Sequence, residues 1–99
     1  MTLEELRELI DKLNCEIIHL FSKRLDVAKE IARVKKEHKL PVYDPKREEK
    51  QLLALQEEAR KQNLSPAVIE EIFQLFVEYS KLNMKLEMGH EQKNRLPGS

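Results

Sequence analysis

From Met1 to Leu40 the chain contains no glycine and no proline. Strong helix formers fill this stretch, chiefly Leu, Glu, Lys, Arg and Ala. Leu3, Leu6, Ile10, Leu13, Ile17, Leu20, Ala28 and Ile31 recur on the three- and four-residue steps of one helical face. Thr2 is a fitting N-cap, with Glu5 three residues on to complete a capping box. The pattern predicts a single helix from Thr2 or Leu3 to about His38. Such a helix has about 36 residues and is roughly 54 Å long. A compact domain of about 100 residues has a radius of gyration of only about 13 Å. Two shorter helices in the rest of the sequence cannot cover the whole apolar stripe of a rod of that length. The simplest cover is a second copy related by two-fold symmetry.

The remaining punctuation divides the chain twice more. Pro41 and Pro45 bracket a short connection, after which Asp44 offers an N-cap with Pro45 at the first helical position. A second helix carrying Leu52, Leu53, Leu55 and Ala59 is expected to end near Asn63. Ser65 and Pro66 repeat the cap-then-proline start. A third helix carrying Val68, Ile69, Ile72, Phe73, Phe76, Val77, Leu82 and Leu86 is expected to end near Gly89. No alternating strand pattern and no internal repeat is present. The reading is an all-α domain over residues 1–88, one helix long and two shorter, with a polar tail over 89–99 expected to be disordered.

Composition narrows the function. Eighteen basic and eighteen acidic residues balance to zero net charge and are interspersed, so no basic patch marks a nucleic-acid partner. Aromatics are 5% of the chain and Trp is absent, which argues against a base-stacking surface. The single Cys15 cannot close an internal disulfide, and this fits a reducing compartment. No Cys or His cluster has metal-ligand spacing. The charged N-terminus lacks an apolar leader segment, and no apolar run approaches a membrane span. The expectation is a cytoplasmic protein with no membrane partner.

Two cations stand where apolar residues belong. Arg24 lies four residues after Leu20 and four before Ala28, and Lys35 lies four after Ile31. Eleven residues apart, they share one face about 16 Å apart, offset by about 20°. Two long side chains leaning together would grip a small dianion. The alternative is that both reach out to water or pair with Glu residues of another helix. Arg7 precedes Arg24 by seventeen residues, about 25 Å along the same helix. It reaches that pocket only from an antiparallel partner helix; alone it reads as a surface residue. Arg47 opposes the helix dipole in the first turn of the second helix, beside Asp44 and Glu48. Ser80 interrupts the apolar face of Phe73, Phe76 and Val77, where a serine most often bonds back to its own helix. His19 and His38 have no Ser or Cys partner in a recognisable motif, and no glycine-rich phosphate loop exists.

Taken together, Arg7-Glu-Leu-Ile-Asp-Lys-Leu-Asn14, Lys23-Arg24, Val34-Lys35, Pro41-Val-Tyr-Asp-Pro-Lys-Arg-Glu48 and the Phe73–Ser80 segment resemble the all-helical chorismate mutases. The likeness covers about residues 3–87, and the Asp44–Glu48 run is its most specific part. It implies a three-helix chain intertwined as a homodimer, with two active sites that each borrow an Arg from the other subunit. The implied reaction is the cofactor-free rearrangement of chorismate to prephenate in aromatic amino-acid biosynthesis. In that frame Arg24, and Arg7 from the partner, bind the two substrate carboxylates. Lys35 reaches a carboxylate and the ether oxygen of the breaking bond. Glu48 takes the ring hydroxyl with Asp44 beside it, and Arg47 and Ser80 complete the wall. One position departs: Met84 stands where the family usually has Gln or Glu as a second donor to the ether oxygen. A thioether cannot donate, and Asn83 is rotated by about 100° around the helix. Two rival readings of the same fold are an isochorismate–pyruvate lyase and a weakly active regulatory or interaction subunit.

Overall fold

The computed structural model describes residues 1–87, with side chains described through Asn83. Three helices make up the described chain: α1 (Leu3–Glu37), α2 (Pro45–Lys61) and α3 (Pro66–Glu87). The expected polar tail over 89–99 lies outside the described residues. At 35 residues α1 is about 52 Å long, which matches the 54 Å longest dimension of the molecule. The radius of gyration, 16.8 Å, exceeds the roughly 13 Å of a compact domain of this size. The length of α1 therefore fixes the shape, as its uninterrupted sequence requires.

Each helix begins as its sequence dictates. The Thr2 hydroxyl accepts from the Glu5 amide at 3.1 Å, and the Glu5 carboxylate accepts from the Thr2 amide at 2.8 Å. These bonds, the backbone one foremost, hold the Glu5 carboxyl below its usual pKa. Asp44 caps α2 by accepting from the Arg47 amide at 3.1 Å, with Pro45 at N1. Ser65 accepts from the Val68 amide at 3.3 Å at the start of α3.

The helix ends carry a device that the sequence hides. Lys39 and Asn63 take left-handed backbone conformations, with φ of 54° and 60°. The Leu40 amide donates to the Lys35 carbonyl at 2.8 Å, and the Lys39 amide to the Lys36 carbonyl at 3.2 Å. The same pair recurs one helix later: Leu64 to Ala59 at 2.8 Å and Asn63 to Arg60 at 3.1 Å. Both are Schellman closures built without glycine. The first turns the chain sharply back along α1, so that Val42 packs on Ala28 and Ala32.

The helix α3 packs on both α1 and α2, which do not pack on each other. Phe21 of α1 stacks on Phe76 of α3, with ring centroids 4.4 Å apart, and Phe73 meets Phe76 edge-on at 5.2 Å. Gln56 of α2 donates to Glu70 of α3 at 3.2 Å. The buried core is slight. Only Ala28, Ala32 and Ala59 are buried apolar residues among those described. On α1, Leu3, Leu6, Leu9, Ile10, Leu13, Ile17 and Leu20 stay between 40% and 62% exposed. No described helix is long and apolar enough to cross a membrane.

Ala32 is fully enclosed, at 0% exposure, where the returning loop meets α1. Ala32→Leu should overpack this contact and lower stability by about 1–3 kcal/mol. Urea unfolding checks this, and an unchanged midpoint would show that the loop yields without cost.

Candidate active site

The turn after α1, the first turns of α2 and the C-terminal half of α3 enclose a cleft of about 150 Å³. Arg24 and Lys35 of α1 line it, together with Asp44, Arg47 and Glu48 at the start of α2 and Ser80 of α3. Six of the eight positions singled out in the sequence therefore converge on one cavity. Ile31, Val42 and Val77 supply its apolar wall. Arg7 does not line it, as expected for a residue about 25 Å along α1 from Arg24. The backbone of Met84 lies on α3, and its side chain lies outside the described residues.

The local fold explains the convergence. Arg24 and Lys35 flank Ala28 and Ala32, whose small side chains let the Val42 loop approach α1. The Lys35 ammonium donates to the Val42 carbonyl at 2.9 Å. The Asp44 cap and Pro45 start α2 directly after this loop, which brings Arg47 and Glu48 to the same end of the molecule. Arg24 Nη1 donates to Ser80 Oγ at 2.8 Å. Ser80 is 6% exposed. The expected back-bond of Ser80 to its own helix gives way to this contact across helices, because a part-buried guanidinium needs an acceptor.

Neither Arg24 nor Lys35 has a carboxylate partner among the described residues. Both are held instead by neutral acceptors, a hydroxyl and a carbonyl. Burial foremost, and then the charge of Arg47, lowers the pKa of Arg24 from its ordinary value. The cleft thus penalises this cation, and an anion bound there relieves the penalty. Among the described residues, neither stripe cation pairs with a glutamate of another helix.

Two lining residues were not singled out in the sequence. Gln51 lies one turn beyond Arg47 on α2. Lys81 of α3 sits 3.1 Å from both Glu48 carboxylate oxygens, and its ammonium lies 5.2 Å from the centre of the Tyr43 ring. The signal for Lys81 was available: Phe73, Val77 and Lys81 follow one another at four-residue steps. Lys81 is thus a cation on an apolar stripe, as Arg24 and Lys35 are. In total, four cations face two carboxylates around the cleft. The surplus of two positive charges matches a small dianion.

The family model described as chorismate mutase type II matches residues 6–85. The chain belongs to this family. Among curated relatives, a T-protein of Haemophilus influenzae is 41% identical over 81 residues, covering 82% of this chain and 22% of the relative. The chorismate mutase of Methanocaldococcus jannaschii is 29% identical over 94 residues, covering 94% of this chain and 95% of its own length. A T-protein of Enterobacter agglomerans is 34% identical over 70 residues, covering 71% of this chain and 19% of the relative. The chain thus spans about a fifth of the T-proteins and nearly all of the M. jannaschii protein.

The Arg24–Ser80 bond gives a direct test of how the cleft holds its cation. Ser80→Ala strands a part-buried guanidinium and should lower stability by about 1 kcal/mol. Chemical denaturation checks this; a midpoint equal to that of the unsubstituted protein would mean that water replaces the hydroxyl at no cost.

Proposed function

We propose that this chain is a chorismate mutase, rearranging chorismate to prephenate in aromatic amino-acid biosynthesis. The observation that carries the reading is the cleft itself. Arg24 and Lys35, without carboxylate partners among the described residues, face Arg47, Glu48 and Ser80 across one small cavity. Membership of the chorismate mutase type II family supplies the substrate class. The chorismate mutase of M. jannaschii aligns over nearly its whole length, so a chain of this extent bears that name elsewhere in the family.

The chemistry suits these side chains. A pericyclic rearrangement inside one molecule needs no nucleophile, metal or proton relay. The protein holds the diaxial, chair-like conformer and stabilises charge on the ether oxygen as the bond breaks. Arg24 binds one carboxylate, with its guanidinium already aimed by Ser80. Lys35 reaches the ether oxygen and a carboxylate, and Glu48 accepts from the ring hydroxyl beside Asp44. Arg47 closes the wall. Because Met84 cannot donate, Lys35 carries the ether oxygen without the second donor usual in the family.

The active form is a homodimer with shared sites. The exposed apolar face from Leu3 to Leu20 needs a cover that the described residues do not supply. A second copy laid antiparallel along α1 supplies it and brings the partner's Arg7 to the cleft that one chain cannot fill alone. The setting is cytoplasmic, in keeping with the lone Cys15 and its exposure.

Assay of chorismate loss by the purified protein tests the activity. Turnover of isochorismate instead would make the protein a lyase, and turnover of neither would make it a binding subunit. Shared sites have their own test. Arg7→Ala and Arg24→Ala should each be nearly inactive. Mixed and re-annealed, they should recover activity, because one pocket of each heterodimer carries neither change. Demonstrated subunit exchange without recovery would exclude an intersubunit site.

A further inference from the structure

Lys81 has no part in the reaction as described, yet three elements of the fold converge on it. It leaves α3 in the stripe of Phe73 and Val77, lines the cleft, and meets Glu48 of α2 through both carboxylate oxygens. Its ammonium also lies over the Tyr43 ring, in the loop between α1 and α2. The Lys81 and Glu48 side chains are 36% and 35% exposed. Partial burial of this kind strengthens an ion pair relative to one at the open surface. Glu48 has no other hydrogen-bond donor to its side chain among the described residues. An unrestrained glutamate at this mouth samples several rotamers, and each one frozen on binding costs affinity.

We propose that Lys81 is a positioning residue that fixes the Glu48 carboxylate toward the cleft and ties the Tyr43 loop to α3. The assignment rests on the chorismate mutase reading, in which Glu48 accepts from the substrate's ring hydroxyl. A contact of that kind exists in the ground state and the transition state alike. Loosening Glu48 therefore weakens binding of both, which raises KM and leaves kcat nearly unchanged. The ammonium also offsets the Glu48 charge beside a site that takes a dianion. Without Lys81, an unscreened carboxylate repels the incoming substrate, and this too appears in KM.

The test uses Lys81→Met, Lys81→Arg, Glu48→Gln and the Lys81→Met/Glu48→Gln double variant of the full chain. Steady-state kinetics on chorismate and a urea unfolding curve are measured for each. Lys81→Met should raise KM about tenfold with kcat within about twofold of the unsubstituted enzyme. Lys81→Arg keeps the charge with a different donor geometry and should recover most of that loss. In the Glu48→Gln background, Lys81→Met should add less than threefold, because its effect passes through the carboxylate. The urea midpoint of the double variant should exceed the one expected from adding the two single shifts. Unaltered KM in Lys81→Met, a fall in kcat alone, independent losses in the double variant, or an arginine variant no better than the methionine one would each overturn the proposal. If the unsubstituted protein turns over no chorismate, the functional reading falls first and takes this role with it. An active protein with an indifferent Lys81 refutes the positioning role alone.

Discussion

The structure depends on one helix that is longer than the other described helices cover. Nothing between Met1 and Leu40 interrupts α1, and its apolar face runs well past the segment that α3 reaches. What α3 does reach is the middle of α1, where Phe21 stacks on Phe76 and Tyr79 lies 5.5 Å from Phe21. The contact is narrow, and the buried apolar residues among those described are three alanines. An interior this small gives little hydrophobic stabilisation. Among the described residues, all three helices contribute side chains to a single concavity at the part of α1 that carries Arg24 and Lys35. Scarcity of core and placement of the cleft thus share a cause: the chain folds back at Lys39 and again at Asn63, and the cleft forms beside the first of these turns.

That enclosure sets the electrostatics. Two part-buried cations stand on α1, and among the described residues each is met by a neutral oxygen instead of a carboxylate. A neutral acceptor orients the charge without cancelling it. Had Arg24 paired with a glutamate, an arriving carboxylate would first have to displace that partner. With Ser80 in place the guanidinium keeps its full charge and most of its donors free. Preorganisation of this kind matters for a reaction whose barrier is lowered by holding one conformer and stabilising a developing oxyanion. Lys35 is similarly poised, since one of its three donors is spent on the Val42 carbonyl.

The helices were legible in the sequence because their signals are local. Thr2 with Glu5, Asp44 with Pro45, and Ser65 with Pro66 each mark a start that the structure reproduces within a residue or two. The cations of α1 were legible because a charge on an apolar stripe breaks an otherwise regular pattern. The Schellman turns were not, because they employ Lys39 and Asn63 in a conformation that glycine ordinarily marks. The partner of Ser80 was also beyond reach. A serine on an apolar helix bonds its own backbone unless a stronger donor arrives from elsewhere, and only the packing of α1 on α3 brings Arg24 to it. Lys81 obeys the same stripe rule as Arg24 and Lys35. It was masked by standing next to Ser80, whose polarity makes the last turns of α3 read as a helix leaving the core.

The charges around the cleft divide by helix in a way that follows from these contacts. Glu48 is matched by Lys81, so that pair adds nothing to the net field. The surplus that suits a dianion then comes from Arg24, Lys35 and Arg47 against Asp44, on α1 and the first turn of α2. From α3 come Ser80, which aims one cation, and Lys81, which holds one anion. Within the cleft α3 therefore orients charges carried by α1 and α2, and the surplus of positive charge lies on the two elements joined by the turn at Lys39.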